Sequence, residues 1–578
     1  MAARPVASPA LAARALPNQW DAIALFLVFG ALVLIVQGSR GMTAPLAAPV
    51  TAALSLDYAN LPYYALRTTL RMFAAILCSL VFTFTYATVA AKSRRAELVL
   101  IPLLDVLQSV PVLGFLSFTV TFFLGLFPGS TLGAECAAIF AIFTGQAWNM
   151  AFSFYQSLRT VPRDLEEVSR GFQLSGWQKF WQLETPFAMP GLIWNTMMSM
   201  SGGWFFVVAS EAISVGDTTI KLPGIGSYLA LAIEQRRIDC VIAAVVAMAI
   251  VILLYDQIIF RPLVAFSDKF RVELTASQTE ARSLVRDLFL RTRWLRQVTR
   301  APARVLHRIS LWRFEPPPAI ARISTELPIP ARAFDVIWLT LVAAGAAYSL
   351  WLVYSFVGAD LGLADVGEAV GVTFITMIRV FLLIALASLV WVPVSIWIGL
   401  RPALAEKAQP LAQFLAAFPA NVLFPVAVVG IVKLSLNPDI WLSLLIVFGT
   451  QWYIVFNVIA GATAFPNDLK EAAANFQIRG WDWWRKVILP GVFPYYVTGA
   501  LTASGGSWNA AIVAEYVKWG DDTVSAHGIG AYIAKATAAG DYPRIVLGVC
   551  VMSIFVILFN RLLWRPLFAY GERKLRLS

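Results

Sequence analysis

Apolar stretches long enough to cross a lipid bilayer recur along the whole chain of 578 residues. A helix needs about 20 mostly apolar residues to cross the hydrocarbon core, and backbone polar groups in lipid must bond within the segment. We therefore predict an all-α polytopic membrane protein with about twelve transmembrane helices. The twelve predicted spans are Ala22–Val36, Leu66–Ala91, Leu98–Phe127, Leu132–Tyr155, Pro190–Glu211, Val241–Phe260, Val336–Val357, Val370–Leu400, Leu411–Val432, Ile440–Ile459, Tyr495–Glu515 and Ile545–Phe559.

The composition agrees with this class and excludes others. Hydrophobic residues make up 59% and charged residues 14%, whereas a soluble domain has about a quarter of its residues charged. A disordered chain and a disulfide scaffold are excluded, and a water-soluble enzyme is not expected. The four cysteines show no CxxC spacing, so we interpret them as small hydrophobic residues and predict no metal site.

The basic residues predict the topology. They follow the even-numbered spans, as at Lys92, Arg159 and Arg573, whereas the short loop after the third span has none. Cytoplasmic loops carry the excess of Lys and Arg, so both termini and the central linker are predicted to be cytoplasmic. The first run is short enough to be a cleaved signal peptide, but the matching run at Val336 argues against this.

The two halves of the chain are an internal repeat. Each half has six predicted spans, so the copies share one orientation and are parallel repeats with a pathway expected between them. We predict a first unit at residues 1–262, a cytoplasmic linker at 263–333 and a second unit at 334–578. Matching residues include Arg71 with Arg379, Pro111 with Pro419, Pro162 with Pro466, Gly176 with Gly480, Trp204 with Trp508, and Glu211 with Glu515.

The linker is strongly basic. Between Arg261 and Arg332 it has 14 Lys or Arg against 6 Asp or Glu. Leu284, Leu288 and Leu295 fall near one helical face, which predicts either an amphipathic helix on the membrane surface or a solvated connector. Because its charge flanks membrane spans, we do not expect nucleic-acid binding.

The loop after the fourth span of each half carries the most informative motif. In the second half Glu471-Ala472-Ala473 is followed by Phe476-Gln477, and Pro490 lies at the twentieth position counted from Glu471. The first half runs from Glu167 to Pro186 with the same count. Carboxylates at Asp164 and Asp468 favour the positive end of a helix. The alternative interpretation of this loop is a plain amphipathic connector between two spans.

This loop resembles the EAA loop of the permease subunits of ATP-binding-cassette (ABC) importers. Both halves have Gln173 or Gln477 where that motif has Gly, so the resemblance does not specify the turn there. The residues for which the resemblance implies ATPase coupling are Asp164, Glu167, Phe172, Gln173, Gly176, Asp468, Glu471, Ala472, Phe476, Gln477 and Gly480.

The end of the fifth span is similar to the nitrate/sulfonate/bicarbonate/taurine branch. Trp508 is followed by Val513-Ala514-Glu515 and Gly528-Ile529-Gly530. The resemblance implies the type I importer fold, two cytoplasmic ABC ATPase subunits that hold ATP and Mg, an extracytoplasmic binding protein and an inner-membrane location. The chain has no phosphate loop, so we expect it not to be an enzyme and to hold no cofactor.

The expected cargo is a small anion such as nitrate, bicarbonate, a sulfonate or taurine. The alternatives are an organic precursor such as a pyrimidine, or a secondary transporter that needs no ATPase. The EAA loops argue against the last.

Polar residues inside spans are costly and are candidates for function. Arg71 and Arg379 are expected either to attract an anion into the pathway or to bind backbone carbonyls and fix helix packing. Glu211 and Glu515 are expected to be structural. The residues that serve close packing or line a pore are Ser201, Trp204, Ser504, Ser507, Trp508 and Asn509, and both interpretations stay open.

Overall fold

The computed structural model describes residues 54–215, 218–267, 292, 300, 304–305, 307–313, 331–520 and 522–574. The predicted first span and the predicted amphipathic linker helix lie outside these residues. The chain divides into a larger unit, residues 41–152, 198–252 and 331–578, and a smaller unit, residues 1–40, 153–197 and 253–330.

Long apolar helices dominate the described residues, which confirms the polytopic all-α prediction. Seven of these helices are long and apolar enough to cross a membrane, and an eighth crossing exists if one bent pair forms a single span. The number twelve stays a prediction.

Three first-half helices of the larger unit, Leu61–Lys92, Leu132–Arg159 and Thr185–Glu211, carry a buried charged cluster near Arg71. Leu132–Arg159 belongs to this unit up to residue 152, and Thr185–Glu211 belongs to it from residue 198. The elements are Tyr58–Asn60, Leu61–Lys92, Arg94–Ser109, Val112–Phe115, Leu116–Leu126, Leu132–Arg159, Thr185–Glu211, Ile225–Glu234 and Ile238–Tyr255.

The second half of the chain lies wholly in the larger unit. Its elements are Ala331–Gly358, Leu363–Gly399, Pro402–Ala417, Ala420–Val422, Phe424–Lys433, Pro438–Thr463, Asn467–Asn475, Gly480–Trp483, Trp484–Ile488, Leu489–Ala514, Ile529–Ala539, Tyr542–Phe559, Asn560–Trp564 and Arg565–Lys574. Small residues let two of these helices approach closely: a Cβ at Gly499 would lie 2.8 Å from the Tyr453 carbonyl oxygen.

The third predicted span of each half contains two helices separated by a break. Residues Arg94–Gln108 and Val112–Leu126 are bent by 88°. Pro111 precedes the second piece and lacks an N–H, and it holds the residue before it in an extended conformation. Pro419 interrupts the second half in the same way, between Pro402–Ala417 and Phe424–Lys433.

A short antiparallel hairpin follows each fifth-span helix, which the sequence analysis did not predict. Ala212–Val215 pairs with Thr218–Lys221, and Tyr516–Trp519 pairs with Asp522–Ser525. Gly520 takes the positive φ of 59° that the second turn requires.

The smaller unit holds the loop between the fourth and fifth spans of the first half. Its elements are Arg163–Gly171, Gly176–Lys179, the π-helical turn Phe180–Glu184, the start of Thr185–Glu211, the π-helical turn Asp256–Phe260 and Arg261–Ser267. The second half has π-helical turns at the equivalent positions, Trp484–Ile488 and Asn560–Trp564. The sequence repeat is therefore also a repeat of backbone irregularities.

Candidate coupling loops and translocation path

The first coupling loop, residues 162–186, contains two short helices joined by a tight turn. The Arg163–Gly171 helix follows the extended Pro162, and its first turn contains the exposed Asp164. Glu167 and Phe172 are also exposed, Phe172 to 74%. Gln173 and Gly176 are exposed as well. All the coupling residues predicted for this loop therefore lie at its surface.

Gln173 occupies a left-handed turn with φ of 51°. The N–H groups of Gln173 and Leu174 close the helix end by donating to the carbonyls of Arg170 and Ser169. This is the Schellman pattern, in which glycine is the usual residue at the left-handed position. Gln173 stands where the EAA motif has glycine, so the loop keeps the turn although the residue differs.

A second set of contacts ties the two helices of this loop together. The Lys179 ammonium lies 2.8 Å from a Glu166 carboxylate oxygen and 3.6 Å from Glu184. The hydrogen bond from Lys179 lowers the pKa of Glu166 below its ordinary value. Ser175 and Gln178 form a capping box at the start of the second helix.

The second coupling loop, residues 466–490, repeats the turn but not these ties. Gln477 has φ of 54°, and the N–H groups of Gln477 and Ile478 donate to Ala474 and Ala473. Phe476 is 80% exposed. The other predicted coupling residues Asp468, Glu471 and Gly480 are exposed, and Ala472 is half-buried.

The side chains that tie the first loop have no counterparts in the second. Lys470 stands at the position of Glu166, and Trp483 at that of Lys179, so the ion pair cannot form. Arg479 replaces Ser175 and makes no side-chain cap.

Arg71 lies at the centre of a buried ionic cluster in the first half. Its guanidinium donates to Glu135 at 2.6 and 2.8 Å and to Glu211 at 2.7 Å, and it also binds the Pro223 carbonyl at 2.9 Å. Arg67 adds a second cation, 2.7 Å from Glu135. All four charged side chains are at most 2% exposed. Two cations thus face two carboxylates.

The Glu211 carboxylate also fixes the backbone that follows the hairpin. It accepts hydrogen bonds from Thr68 and from the Gly226 N–H, each at 2.7 Å. A Cβ at Gly224 would lie 2.2 Å from this carboxyl group. The Gly-Ile-Gly motif is therefore explained by the close approach of the backbone to a buried carboxylate.

Arg379 forms a related but smaller cluster in the second half. It bonds Glu515, donates to the His527 carbonyl at 2.9 Å and lies 3.5 Å from Asp439. Glu515 accepts from Thr376 at 2.9 Å and from the Gly530 N–H at 2.8 Å. Ile375 stands where the first half has Arg67.

Sequence reasoning missed Glu135 and Asp439, the acidic partners of the two arginines. A signal was present, since both are acidic residues near the start of a fourth span and are separated by the same offset as Glu211 and Glu515. An isolated carboxylate there needs a cationic partner.

The fifth-span helices bring the two halves into contact within the larger unit. The Ser201 and Tyr453 hydroxyls hydrogen-bond each other. The Asn509 amide oxygen accepts from the Val112 N–H at 3.0 Å, and the Asn421 amide donates to the Phe205 carbonyl at 3.2 Å. These contacts place Ser201 and Asn509 between the halves.

The remaining predicted path residues are packed inside the protein. Trp204 and Trp508 are each 1% exposed, and Ser504 and Ser507 are also buried. Ser507 pairs with the Thr450 hydroxyl at 3.0 Å.

An accessible polar face instead runs along Leu489–Ala514, which is the fifth-span helix of the second half. Thr498, Thr502, Gly505 and Asn509 recur at helical spacing, and all are exposed or half-exposed. A Cβ at Gly505 would have no atom within 4 Å. The face ends at Asn509, which contacts the first half.

The described residues thus form long apolar helices with two loops that share the same turn. The family of binding-protein-dependent transport system inner membrane components matches the chain twice, at residues 83–261 and 391–564. These matches cover more than half of the chain, and the chain belongs to this family. It is an ABC permease with two permease units joined in one chain.

Three relatives of the chain are named as permease proteins of transport systems. The chain is 29% identical over 190 residues to the bicarbonate transport system permease protein CmpB of Synechococcus elongatus, covering 33% of this chain and 65% of the relative. It is 26% identical over 178 residues to the nitrate import permease protein NrtB of Leptolyngbya laminosa, covering 31% and 60%. It is 27% identical over 159 residues to the putative aliphatic sulfonates transport permease protein SsuC of Escherichia coli, covering 27% and 55%. The chain spans less than two thirds of the length of each.

Proposed function

We propose that the chain supplies two permease units of an ATP-driven importer, with each coupling loop docking one cytoplasmic ABC ATPase. The observation that carries this is the shared left-handed turn at Gln173 and Gln477, which presents Phe172 and Phe476 to solvent in both loops. Exposed aromatic side chains beside carboxylates suit insertion into a groove on a soluble partner.

The proposed path runs between the two halves, along the face Thr498, Thr502, Gly505 and Asn509. Polar and small residues on an accessible face in mid-span favour a water-filled or solute-filled cavity over lipid. The hydrogen bonds Ser201–Tyr453 and Asn509–Val112 close the contact between the halves. Opening for transport requires these bonds to separate.

The two arginines are proposed to be scaffold rather than anion receptors. Arg71 is paired with two carboxylates, and Arg379 with Glu515 and Asp439, so neither brings an uncompensated positive charge to the path. The arginines therefore give no support for an anionic cargo. The proposal of a small anionic cargo is supported instead by the bicarbonate, nitrate and sulfonate names of the relatives.

An extracytoplasmic binding protein would deliver the solute, and both termini would be cytoplasmic. ATP and Mg would be held by the ATPase subunits, whose closure on ATP would act on the two coupling loops. The basic residues after the even-numbered spans support this orientation.

The test is capture of the ATPase by tagged permease carrying Glu167→Lys and Glu471→Lys together. Both side chains are exposed, so the protein should fold as the wild type does. We expect capture to fall by about tenfold or more, as for loss of charged contacts at an interface. Undiminished capture by the folded double variant would overturn the assignment of these loops. Lys407→Glu, which reverses an exposed charge on the Pro402–Ala417 helix, is the matched control.

A further inference from the structure

We propose that a linker segment, residues 307–313, is a built-in ligand of the first coupling loop and forms part of its docking surface for the ATPase. The contact between the linker and the loop is independent of the proposed function, whereas its part in docking the ATPase rests on that function. The linker segment and the first coupling loop both belong to the smaller unit.

The segment is held by side chains of the second helix of the loop. The Trp177 indole N–H donates to the Ile309 carbonyl at 2.7 Å, and the Gln178 amide donates to the Leu311 carbonyl at 2.8 Å. Gln182 lies 3.4 Å from the Ser310 carbonyl. Successive linker carbonyls are therefore bound by donors on one short stretch of the loop.

A further contact reaches the turn that carries the coupling residues. The Arg313 guanidinium donates to the Gln173 carbonyl at 3.3 Å. Gln178 has two roles, since its amide oxygen also accepts from the Ser175 N–H in the capping box. The linker thus contacts both the turn and the cap of the first loop.

The second coupling loop cannot bind a strand of backbone in this way. Trp481 stands at the position of Trp177 and is 72% exposed. Asp482 replaces Gln178, and an ionised carboxylate accepts but does not donate hydrogen bonds. Lys486 replaces Gln182 and pairs with Asp482 at 3.2 Å.

The two docking surfaces are consequently unequal. At the second loop the Trp481 face is open to a partner. At the first loop the linker lies on the equivalent face and brings Arg308, Trp312 and Arg313 to it, with Trp312 55% exposed. With the linker, the first surface has five Lys or Arg and four Asp or Glu, and the second loop has four and three. The two surfaces therefore differ in where their charges lie and in whether the linker covers them, and not in net charge.

The experiment measures tryptic cleavage after Arg308 and Arg313 in the full-length purified permease, resolved by peptide mass spectrometry. The variant Trp177→Phe/Gln182→Ala keeps the aromatic ring but removes two donors to the linker. We expect cleavage about tenfold faster than in the wild type, as for loss of two hydrogen bonds. Trp481→Phe/Lys486→Ala changes the equivalent residues of the second loop and should cleave at the wild-type rate. Equal rates in all three proteins would overturn the linker contact.

A second arm adds the ATPase to the wild-type permease. If the linker is part of the docking surface, cleavage after Arg308 should slow at least about threefold, because binding excludes the protease. Unchanged cleavage with bound ATPase would overturn the composite surface. The first arm needs no ATPase, so failure of the proposed function, seen as undiminished capture by the Glu167→Lys/Glu471→Lys variant, is a separate result.

Discussion

Gln477 adopts the same left-handed backbone conformation in the second coupling loop as Gln173 does in the first, with φ of 54° and 51°. A non-glycine residue in this region costs about 1–2 kcal/mol. Both copies of the loop keep this strained conformation with the same residue, glutamine, where the EAA motif has glycine, so the turn is retained without glycine.

Replacing Gln477 by Gly should stabilise the protein. The left-handed strain is relieved, and after the entropy cost of glycine the gain is about 0.5–1 kcal/mol. The measurement is the midpoint of thermal unfolding in detergent, which should rise. Ala472→Gly, inside the neighbouring helix, is the control and should lower the midpoint. A fall of similar size in both variants would contradict the strain argument.

Arg71→Gln should destabilise the fold strongly. Removing one partner of a buried ionic cluster typically costs about 3–5 kcal/mol, because carboxylates are left uncompensated. Glu211 loses its guanidinium partner, whereas Glu135 keeps Arg67. The yield of monodisperse protein on size-exclusion chromatography should fall sharply.

The double variant Arg71→Gln/Glu211→Gln distinguishes scaffold from anion receptor. It removes one charge of each sign, so part of the lost stability should return. If Arg71→Gln instead folds like the wild type but loses anion uptake, the arginine is a receptor and the scaffold interpretation is wrong.

Gly505→Leu should block transport without disturbing the fold. A Cβ there meets no atom within 4 Å, and the residue lies on the polar face proposed to line the path. We expect ATP-driven uptake into proteoliposomes to fall by about tenfold or more, while the unfolding midpoint changes by no more than a surface substitution causes.

Two other glycines serve as controls for this variant. Gly371 also has open space and lies on an exposed position of the Leu363–Gly399 helix, away from the proposed path, so Gly371→Leu should transport normally. A Cβ at Gly506 would lie 2.9 Å from the Thr450 side chain, so Gly506→Leu should fail to fold well. Normal uptake by Gly505→Leu would remove this face from the path.

The Lys179–Glu166 pair should make the first coupling loop sensitive to acid. The pKa of Glu166 is lowered by Lys179, so its contribution is complete above the ordinary glutamate pKa of about 4.3 and is lost as the pH falls through the lowered value. The pair is partly exposed, so we expect less than about 1 kcal/mol. Lys179→Met should increase hydrogen exchange of residues 163–171 at neutral pH. If the difference from the wild type persists at acid pH, the ion pair is not its cause.

Much of this architecture could be predicted from the sequence, because membrane spans and repeats leave strong signals. Apolar runs located the long helices, and rare residues at a fixed offset revealed the two halves. Pro111 and Pro419 mark the breaks in the third spans. Each proline lies inside a long apolar run, so the sequence analysis counted a single span there. The hairpins at Ala212–Val215 and Tyr516–Trp519 are too short for a periodic pattern.

The contacts within the sites were harder to predict. The pairing of Arg71 with Glu135 joins residues far apart in sequence, which a pattern within one span cannot show. The linker contact at Trp177 uses backbone carbonyls of Ile309 and Leu311, and backbone acceptors leave no trace in residue identity. The left-handed turn at Gln173 could not be predicted from the sequence, because glutamine rarely adopts that conformation.

The most direct test of the central proposal is native mass spectrometry of the permease purified with its ATPase from the membrane. One chain with two coupling loops should carry two ATPase subunits, and the Glu167→Lys/Glu471→Lys variant should carry none. A complex of two permease chains with two ATPase subunits, or a transport-competent permease with no ATPase, would contradict the account.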